Sequence, residues 1–570
     1  MLVVATRALL AAALVQGWSS HPLQSAPGIS PADSQHVVRG LQSTQRSFES
    51  FRRSRLPVRE RASGPCDVRV GRYCYWRGDD DDERMPDEAP AIRARRAELI
   101  RALDSAATLL EGDAWVAGQL VRYLVEAGRT DDAIRFTRER CRSDAAWCAA
   151  LAGYAAHSAG RFAAADSAFA VALSEMAPAE RCRWLDVSDL LVDELARRYK
   201  ALGCDGKDSL TRQLLRLGAP LYSVSTTDLL TEQLARFTRV RMAEHSAEPD
   251  GESWGDDVRE LMLRYGWPRW YSRSEPPIGS QMEPSITGHD AGMPYDFIPR
   301  PNALEHLGHV NPDDWGLDDA RAPTGYAPSF ARSVHDLPGQ IATFRRGDSA
   351  LVVAAWDARR DTTLLGRTLQ AALVLAPPAG DLVISRDSTA HTVGRLWATA
   401  RLDSGLVSLE LLAPAERRAA RLRLGLPARD TARIALSDLL LFAASGAPSS
   451  RLEVVRDSAL ATNVIPGTRG VGVYWETYGL LPSKEPLHFT LSVEQFGTSW
   501  FRRTAERLHL ADPTSGLRLQ WDEVPEQADG RAARGLRLDL SRLRTGRYRV
   551  SLTARARDGT ATAVREIEVR

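Results

Sequence analysis

The stretch from Leu263 to Tyr271 reads Leu-Arg-Tyr-Gly-Trp-Pro-Arg-Trp-Tyr, and it divides the chain into two parts of different character. Before it, apolar residues recur at helical spacing, whereas after about His335 they alternate with a period of two. The stretch gathers four aromatic residues around a Gly-Pro break: Tyr265, Trp267, Trp270 and Tyr271. We therefore predict a multidomain α + β protein whose helical and β-rich halves meet near this segment.

Length and charge bound the classes of function. At 570 residues the chain is too long for one hydrophobic core and predicts several domains. Its 74 basic and 73 acidic residues are interspersed and give a net charge of +1. Nothing in this balance favours nucleic acid or an anionic membrane as a partner.

The amino terminus resembles a secretory signal peptide over residues 1–25. Residues 1–16 are almost entirely apolar, and a polar stretch follows at residues 19–31. The apolar run is too short for a standard transmembrane helix, and no later run approaches the required length of about 20 residues. We expect an exported protein, periplasmic or extracellular, with no transmembrane segment in the mature chain.

Six cysteines fall into three neighbouring pairs: Cys66 with Cys74, Cys141 with Cys148, and Cys182 with Cys204. An even count behind a signal-like segment favours disulfides in an oxidising compartment. The alternative is free, buried thiols in a cytosolic protein. A zinc site is disfavoured because no Cys-x-x-Cys spacing occurs.

Residues 26–90 lack apolar periodicity over most of their length, so we predict a disordered linker there. Its acidic run at residues 79–83 is expected to be a solvated loop, because adjacent carboxylates repel each other. A calcium loop is the alternative, although its alternating ligands and glycine turn are missing.

Residues 91–245 are predicted to form an α-helical repeat domain. Trp115, Gly128 and Ala133 recur 32 residues later as Trp147, Gly160 and Ala165. The second unit adds Phe169, Ala172 and Pro178, so residues 113–179 resemble tetratricopeptide repeats. Such repeats stack into a groove, which we expect to bind a protein partner.

Residues 246–335 are rich in proline, glycine and aromatic residues, and we predict an irregular connector there. Beyond it, period-two patterns predict two antiparallel β-sandwiches, at 336–447 and 448–570, the second immunoglobulin-like. Arg-Gly-Asp at 346–348 and Asp558-Gly559 are predicted hairpin turns.

A second aromatic group comprises Tyr474, Trp475 and Tyr478. Neighbours in a strand point to opposite faces, so Tyr474 and Trp475 cannot both enter one core, and one of them is expected to be exposed or to meet another domain. Both aromatic groups are either packed between domains or form a platform for a ligand or glycan.

Motifs for common chemistries are absent from the sequence. It contains no His-Glu-x-x-His, Gly-x-Ser-x-Gly, Walker loop or dinucleotide fingerprint, so we expect no cofactor. The best metal candidate is His306 with His309, near Glu305 and His289-Asp290. Two histidines at this spacing can share a helix face, although they are more often ordinary surface or core residues.

The segments Glu260–Pro268 and Ile341–Ala350 resemble poorly characterised exported bacterial proteins of the GWxTD type. The resemblance covers residues 256–445, and Gly266-Trp267-Pro268-Arg269-Trp270 departs from the family's motif at the Thr and Asp positions. It implies an exported β-rich protein and supplies no catalytic residues.

Our leading hypothesis is a non-enzymatic exported bacterial protein that acts as a protein–protein interaction module or envelope scaffold. The alternative is a secreted carbohydrate-binding or hydrolytic protein with its site in residues 246–335. A carbohydrate-binding sandwich without catalysis would require an exposed Trp475.

Overall fold

The computed structural model describes much of the chain from Ser30 to Arg570. The described residues are 30–60, 66–75, 85–275, 284–289, 296, 298–315, 317, 323–362, 364–378, 380–428, 434–444, 446–467, 470–480, 486–495, 516–524, 526, 530–557 and 559–570. The predicted signal peptide and the acidic run at 79–83 lie outside them. Within the described residues, no helix is long and apolar enough to cross a membrane.

The amino-terminal half is helical. Its helices are α1 (Pro31–Arg53), α2 (Pro90–Leu109), α3 (Ala114–Glu126), α4 (Thr130–Glu139), α5 (Ala145–Ser158), α6 (Phe162–Glu175), α7 (Pro178–Trp184), α8 (Asp193–Lys200), α9 (Cys204–Gly218), α10 (Asp228–Ala243) and α11 (Asp256–Tyr265). A hairpin of β1 (Val68–Val70) and β2 (Tyr73–Tyr75) and a 3₁₀ helix at Ser188–Leu190 accompany them. The three disulfides join the neighbouring cysteine pairs, which confirms the predicted pairing.

Helices α3 to α6 coincide with the 32-residue repeat. Gly128 and Gly160 occupy equivalent turns with φ of 72° and 71°, a conformation that glycine adopts without strain. Close packing of α5 on α6 depends on Gly153, since a Cβ there would lie 2.8 Å from the Phe169 ring. Repeated small residues therefore set both the turns and the approach of the helices.

Helix α1 lies where the sequence predicts a linker. Its Ser30 side chain accepts a hydrogen bond from Asp33 N and caps the first turn. Phe48 is buried on one face, but Gln45 and Glu49 beside it are also fully buried. These polar residues interrupt the apolar pattern, which is why periodicity does not reveal this helix.

Helix α10 packs against α3, α5 and α6. The buried Gln119 amide donates to Met242 O at 2.8 Å, and Trp115 Nε1 donates to His245 O at 3.0 Å. Helix α10 therefore covers the face of α3 and α5. The sequence predicts an open groove for a partner on the repeats, and this face is not open.

The connector has more regular structure than predicted. After α11 come β3 (Trp270–Arg273), β4 (Ile286–His289), α12 (Pro301–Glu305) and 3₁₀ turns at Leu307–His309 and Pro312–Asp314. Strands β3 and β4 pair antiparallel, and residues 57–59 bond to Arg273 beside them. Part of the segment before α2 is thereby fixed to the connector.

The first sandwich comprises β5 (Ser333–Asp336), β6 (Gly339–Arg346), β7 (Ser349–Asp357), β8 (Leu369–Ala376), β9 (Val383–Ala390), β10 (Val393–Ala400), β11 (Gly405–Ala413) and β12 (Arg418–Leu426). Its sheets have the orders β10-β7-β6 and β5-β12-β11-β8-β9. The β6–β7 hairpin turns at Gly347, which confirms the predicted turn. Val352 and Trp356 of one sheet and Leu373 and Leu409 of the other lie in one core.

The second sandwich comprises β13 (Ala435–Leu436), β14 (Leu440–Phe442), α13 (Leu452–Asp457), β15 (Val464–Ile465), β16 (Val471–Tyr478), β17 (Leu487–Gln495), β18 (Leu517–Glu523), β19 (Arg531–Leu538), β20 (Gly546–Ala556) and β21 (Gly559–Val569). One sheet contains β13, β14, β16 and β19, and the other has the order β15-β21-β20-β17-β18. Because β13 and β14 pair with β16, this sandwich begins before the predicted boundary at 447/448. Residues 446–450, beside the predicted boundary, lie between β14 and α13 of this sandwich.

Candidate functional site

The four rings of the stretch 263–271 are internal. Each is stacked on a partner from another segment: Tyr265 on Tyr75 (3.9 Å), Trp267 on the Arg239 guanidinium (3.9 Å), Trp270 on His289 (3.8 Å) and Tyr271 on the Arg52 guanidinium (5.7 Å). Tyr265, Trp270 and Tyr271 are at most 7% exposed, and Trp267 is half-buried. The stretch therefore joins α1, the β1–β2 hairpin, α10 and the connector, and it offers no open platform to a ligand.

A buried charge cluster lies beside these rings. Arg122 of α3 donates to Glu248 at 2.6 Å, to Glu126 at 3.0 Å and to Glu49 of α1 at 3.4 Å. Arg52 reaches Glu126 at 3.1 Å, and Arg239 of α10 lies 3.4 Å from Glu126 and from Glu248. The positive charges of three arginines therefore balance the negative charges of three glutamates where α1, α3, α10 and residue 248 meet.

The three carboxyls titrate differently. Burial raises the pKa of Glu248 to about 7, although Arg122 and Arg239 oppose the shift, and burial also raises the pKa of Glu49. Burial likewise disfavours the charged form of Glu126, but attraction to Arg122, Arg52 and Arg239 outweighs it and lowers its pKa. The cluster has the character of a structural ion-pair network, because every carboxyl contacts a guanidinium.

Tyr474, Glu476 and Tyr478 share the face of β16 that meets the first sandwich. Both tyrosine hydroxyls donate to Glu476, at 2.9 and 2.8 Å, and Arg346 of β6 donates to the same carboxylate at 2.7 and 2.9 Å. Tyr474 also packs edge-on against Phe344. This face is an interdomain contact.

Trp475 points the other way, into the core of the second sandwich. It is 1% exposed and lies 6.1 Å from Phe489 and 6.3 Å from Trp521, measured between ring centroids. As predicted, the neighbours Tyr474 and Trp475 point to opposite faces of β16. Trp475 enters the core of its own sandwich, and Tyr474 faces the other sandwich. Buried as it is, Trp475 cannot be the exposed residue that a carbohydrate-binding sandwich requires.

The second sandwich also closes the free edge of β6. Asp438 accepts from Thr343 N at 2.8 Å, the Tyr478 hydroxyl accepts from Arg345 N at 2.9 Å, and Arg565 donates to Ile341 O at 2.7 Å. Side chains of the next domain thus satisfy backbone groups that would otherwise be exposed to a new strand.

The helical half is joined to the first sandwich by two buried arginines of β12. Arg423 donates to Leu217 O at 2.9 Å and to Ala219 O at 2.6 Å, and Arg421 donates to Pro220 O at 2.8 Å. They thereby satisfy carbonyls at and after the end of α9, where a helix is partially negative. Glu410 completes the junction by accepting from two backbone amides, Tyr222 N and Ser223 N.

The connector contains a serine–histidine pair that sequence patterns do not reveal. Ser272 Oγ lies 2.7 Å from His289 Nε2, and His289 is stacked on Trp270. Burial, reinforced by Arg59, lowers the pKa of His289 to about 4, so the imidazole is neutral near pH 7 and is a weak base. Ser272 is only 3% exposed, so the pair has the properties of a buried hydrogen bond between β3 and β4.

A second arrangement that sequence patterns missed lies on α5 and α10. His157 contacts Thr231 Oγ1 through Nδ1 at 2.9 Å and Glu232 through Nε2 at 2.7 Å. The Thr231 hydroxyl is fully buried and lies 3.0 Å from Asp228 O in its own helix. This geometry bonds the two helices and gives the hydroxyl no access to a substrate.

The predicted histidine pair does not assemble a metal site. His306 and His309 are both exposed; His306 precedes a short 3₁₀ turn and His309 is its last residue, and nearby Glu305 pairs with Arg198. Asp290 lies outside the described residues. Among the residues that the structure describes, no group of three potential ligands could hold a metal ion.

A cleft of about 710 Å³ lies along the sandwich junction. Its wall includes aliphatic side chains from both sandwiches: Ile341, Leu402, Leu422, Leu424, Leu436 and Val564. The Oδ1 atom of Asn463, also in the lining, is buried and lacks a hydrogen-bond partner. A volume and lining of this kind suit an apolar group that carries a hydrogen-bond donor.

No protein-family model matches the chain, and no curated protein matches it. Solved structures with partial similarity include the FN1–FN3 domains of chicken CNTN1 (10% identity, TM-score 0.15, 41% of this chain and 67% of that chain). Others are red sea bream transglutaminase (13%, 0.13, 42% and 32%) and Salmonella alpha-2-macroglobulin reacted with methylamine (9%, 0.18, 41% and 23%). At these TM-scores the matches carry no argument, so the fold rests on the strand pairings and cores described above.

Proposed function

We propose that this chain is an exported, non-enzymatic scaffold that holds interaction surfaces in a fixed arrangement. The observation that carries the proposal is the pair of buried polar junctions. Arg421, Arg423 and Glu410 fix the helical half to the first sandwich, and Arg346 with Glu476 fixes the two sandwiches to each other. Breaking such buried contacts costs several kcal/mol.

Export is supported by the disulfides, because such bonds persist in oxidising compartments. Helices α3 to α6 are proposed to be two tetratricopeptide-like units. Their support is the pair of equivalent glycine turns and the complete burial of Ala133 and Ala165 at matching positions. Since α10 occupies the α3–α5 face, the protein partner is expected to bind another surface.

The hydrolase alternative has one specific observation in its favour, the contact of Ser272 with His289. Both proposals are tested with one preparation of the mature chain from an oxidising compartment. A fluorophosphonate probe would label Ser272 in a serine hydrolase, and Ser272→Ala would abolish that label. The scaffold proposal predicts that the probe labels neither the unaltered chain nor the Ser272→Ala variant.

Partner binding is tested by photo-cross-linking in envelope extract. The label is attached to single cysteines introduced at exposed positions, because the six native cysteines are all in disulfides. The proposal predicts that one contiguous set of positions repeatedly cross-links the same protein. Probe labelling at Ser272, with no specific cross-link anywhere, would replace the scaffold proposal with the hydrolase.

A further inference from the structure

Strand β21 has one open edge. Strand β20 pairs with it along its whole length, whereas β15 covers only Glu568 and Val569 on the other side. Among the described residues, no strand pairs with this second side of β21 between Gly559 and Ile567. An uncovered edge presents backbone N–H and C=O groups to an incoming strand.

The register identifies which backbone groups face that edge. Ala556 is paired with Gly559, and two residues separate them along the chain. A pair that is separated in this way exchanges hydrogen bonds in a hairpin, so alternate residues from Gly559 onward should bond to β20. The residues between them turn their backbone groups outward: Thr560, Thr562, Val564 and Glu566. Glu568 N, the next in this series, donates to Asn463 O at 3.0 Å, which supports the assignment.

The open edge adjoins the cleft. Val564, Arg565 and Glu566 line the cleft together with Ile341 and Leu422. Side chains alternate along an extended peptide, so one set of a peptide paired with β21 would face this aliphatic wall. Asn463 Oδ1 supplies a buried acceptor for a donor on the same peptide.

The charges of the lining are balanced. Four carboxylates and two arginines line the cleft: Asp348, Asp403, Asp438, Glu566, Arg345 and Arg565. Asp348 and Glu566 are also paired with Arg401 and Arg549, which lie outside the lining. The aliphatic wall, and not a net charge, therefore defines which side chains the cleft accepts.

We propose that the open edge of β21 binds an extended, aliphatic segment of a protein partner by strand addition, with alternate aliphatic side chains seated in the cleft. This inference rests on the proposed scaffold function and names its binding surface. Edge β6, which lines the same cleft, is closed by Asp438, Tyr478 and Arg565, whereas β21 keeps unpaired backbone groups there for an incoming strand.

The probe is the peptide acetyl-Lys-Val-Thr-Val-Thr-Val-Thr-Lys-amide with a fluorescein on one lysine side chain. The full chain is titrated into it, and binding is followed by fluorescence anisotropy. A matched peptide with alternate backbone nitrogens methylated cannot donate the strand hydrogen bonds. The inference predicts saturable binding that weakens by about tenfold or more with the methylated peptide, since each tenfold corresponds to about 1.4 kcal/mol. Equal binding of the two peptides, or no saturable binding up to about 1 mM, overturns it.

Two variants of one residue locate the site. Thr562→Pro removes an outward N–H and is expected to weaken binding by about tenfold, whereas Thr562→Ala keeps the N–H and the affinity. If Thr562→Pro fails to fold, a photoreactive group on Val564→Cys must cross-link the peptide for the inference to stand. A fatty acid such as laurate is the competing apolar occupant of the cleft. If laurate binds in the cleft and does not displace the peptide, the peptide binds elsewhere and the inference is contradicted.

Failure of this inference is distinguishable from failure of the scaffold proposal. Specific cross-links to a partner at positions away from β21, unaffected by Thr562→Pro, would overturn strand addition and leave the scaffold in place. Fluorophosphonate labelling of Ser272 with no cross-linked partner would remove both.

Discussion

Glu476 of the second sandwich accepts two hydrogen bonds from Arg346 of the first, at 2.7 and 2.9 Å, and its side chain is only 2% exposed. The hydroxyls of Tyr474 and Tyr478 bond to the same carboxylate. One buried side chain therefore holds three donors at the domain boundary and makes the relative placement of the sandwiches specific.

Glu476→Ala should destabilise the chain by about 2–4 kcal/mol, because the hydroxyls of Tyr474 and Tyr478 and the partly buried guanidinium of Arg346 lose their acceptor. Urea unfolding measures the change. The matched control is Glu98→Ala, which removes an exposed pair with Arg95 and should shift stability by less than about 0.5 kcal/mol. Equal effects of the two variants would show that the junction contributes little.

Gly153→Ala should destabilise the helical half by about 1–3 kcal/mol, since its Cβ would lie 2.8 Å from the Phe169 ring and force α5 from α6. Gly40→Ala in α1 is the control. No atom lies within 4 Å of the added Cβ there, so we expect a gain of about 0.4–1 kcal/mol. Thermal unfolding of both variants measures this contrast, and a neutral Gly153→Ala would disprove the close packing.

Asp228 should make the folded chain less stable as pH rises. Burial raises its pKa from 3.8 to about 7, although the Tyr326 hydroxyl, 3.2 Å away, opposes the shift. The folded carboxyl therefore keeps a proton that the unfolded chain loses near pH 4, and this stabilisation disappears between about pH 4 and pH 7.

Asp228→Asn removes that titration and keeps the shape of the side chain. Between pH 4 and pH 8 the wild-type chain should lose on the order of 2–4 kcal/mol relative to the variant, measured by urea unfolding at each pH. A constant difference across this range would mean that Asp228 is ionised throughout.

Removing the disulfide between Cys182 and Cys204 by a double serine substitution should cost about 3 kcal/mol, because it closes the longest of the three loops, with a separation of 22 residues. The control is the corresponding double substitution at Cys141 and Cys148, whose separation of 7 residues predicts a smaller loss. Unfolding midpoints under oxidising conditions compare them. A larger loss for the shorter loop would contradict the loop-closure explanation.

Sequence patterns predicted elements whose apolar residues follow one period. The strands around Gly347 and after Tyr548 and the repeat from Trp115 are of this kind. Helix α1 was missed because Gln45 and Glu49 are buried beside Phe48. The predicted start of the second sandwich is too late, because β13 and β14 are too short to show an alternating pattern. Only their pairing with β16 shows that they belong to this sandwich.

The candidate site depended even more on contacts distant in sequence. The pattern around Trp475 correctly implied two opposed faces, yet only the fold shows that Tyr474 faces another domain. The aromatic stretch was conspicuous, but its stacking partners come from residues as distant as Arg52 and His289. The open edge of β21 depends on how little of it β15 covers, which no local pattern encodes.

A rigid scaffold keeps a fixed distance between its helical half and its second sandwich. Spin labels at Arg138→Cys on α4 and Asp522→Cys on β18, two exposed positions on either side of both junctions, report that distance. Pulsed electron paramagnetic resonance measures it. If the two junctions are rigid, the distance distribution is single and narrow, and it broadens when Glu476→Ala is added. A broad or multiple distribution in the otherwise unaltered chain would contradict a rigid scaffold.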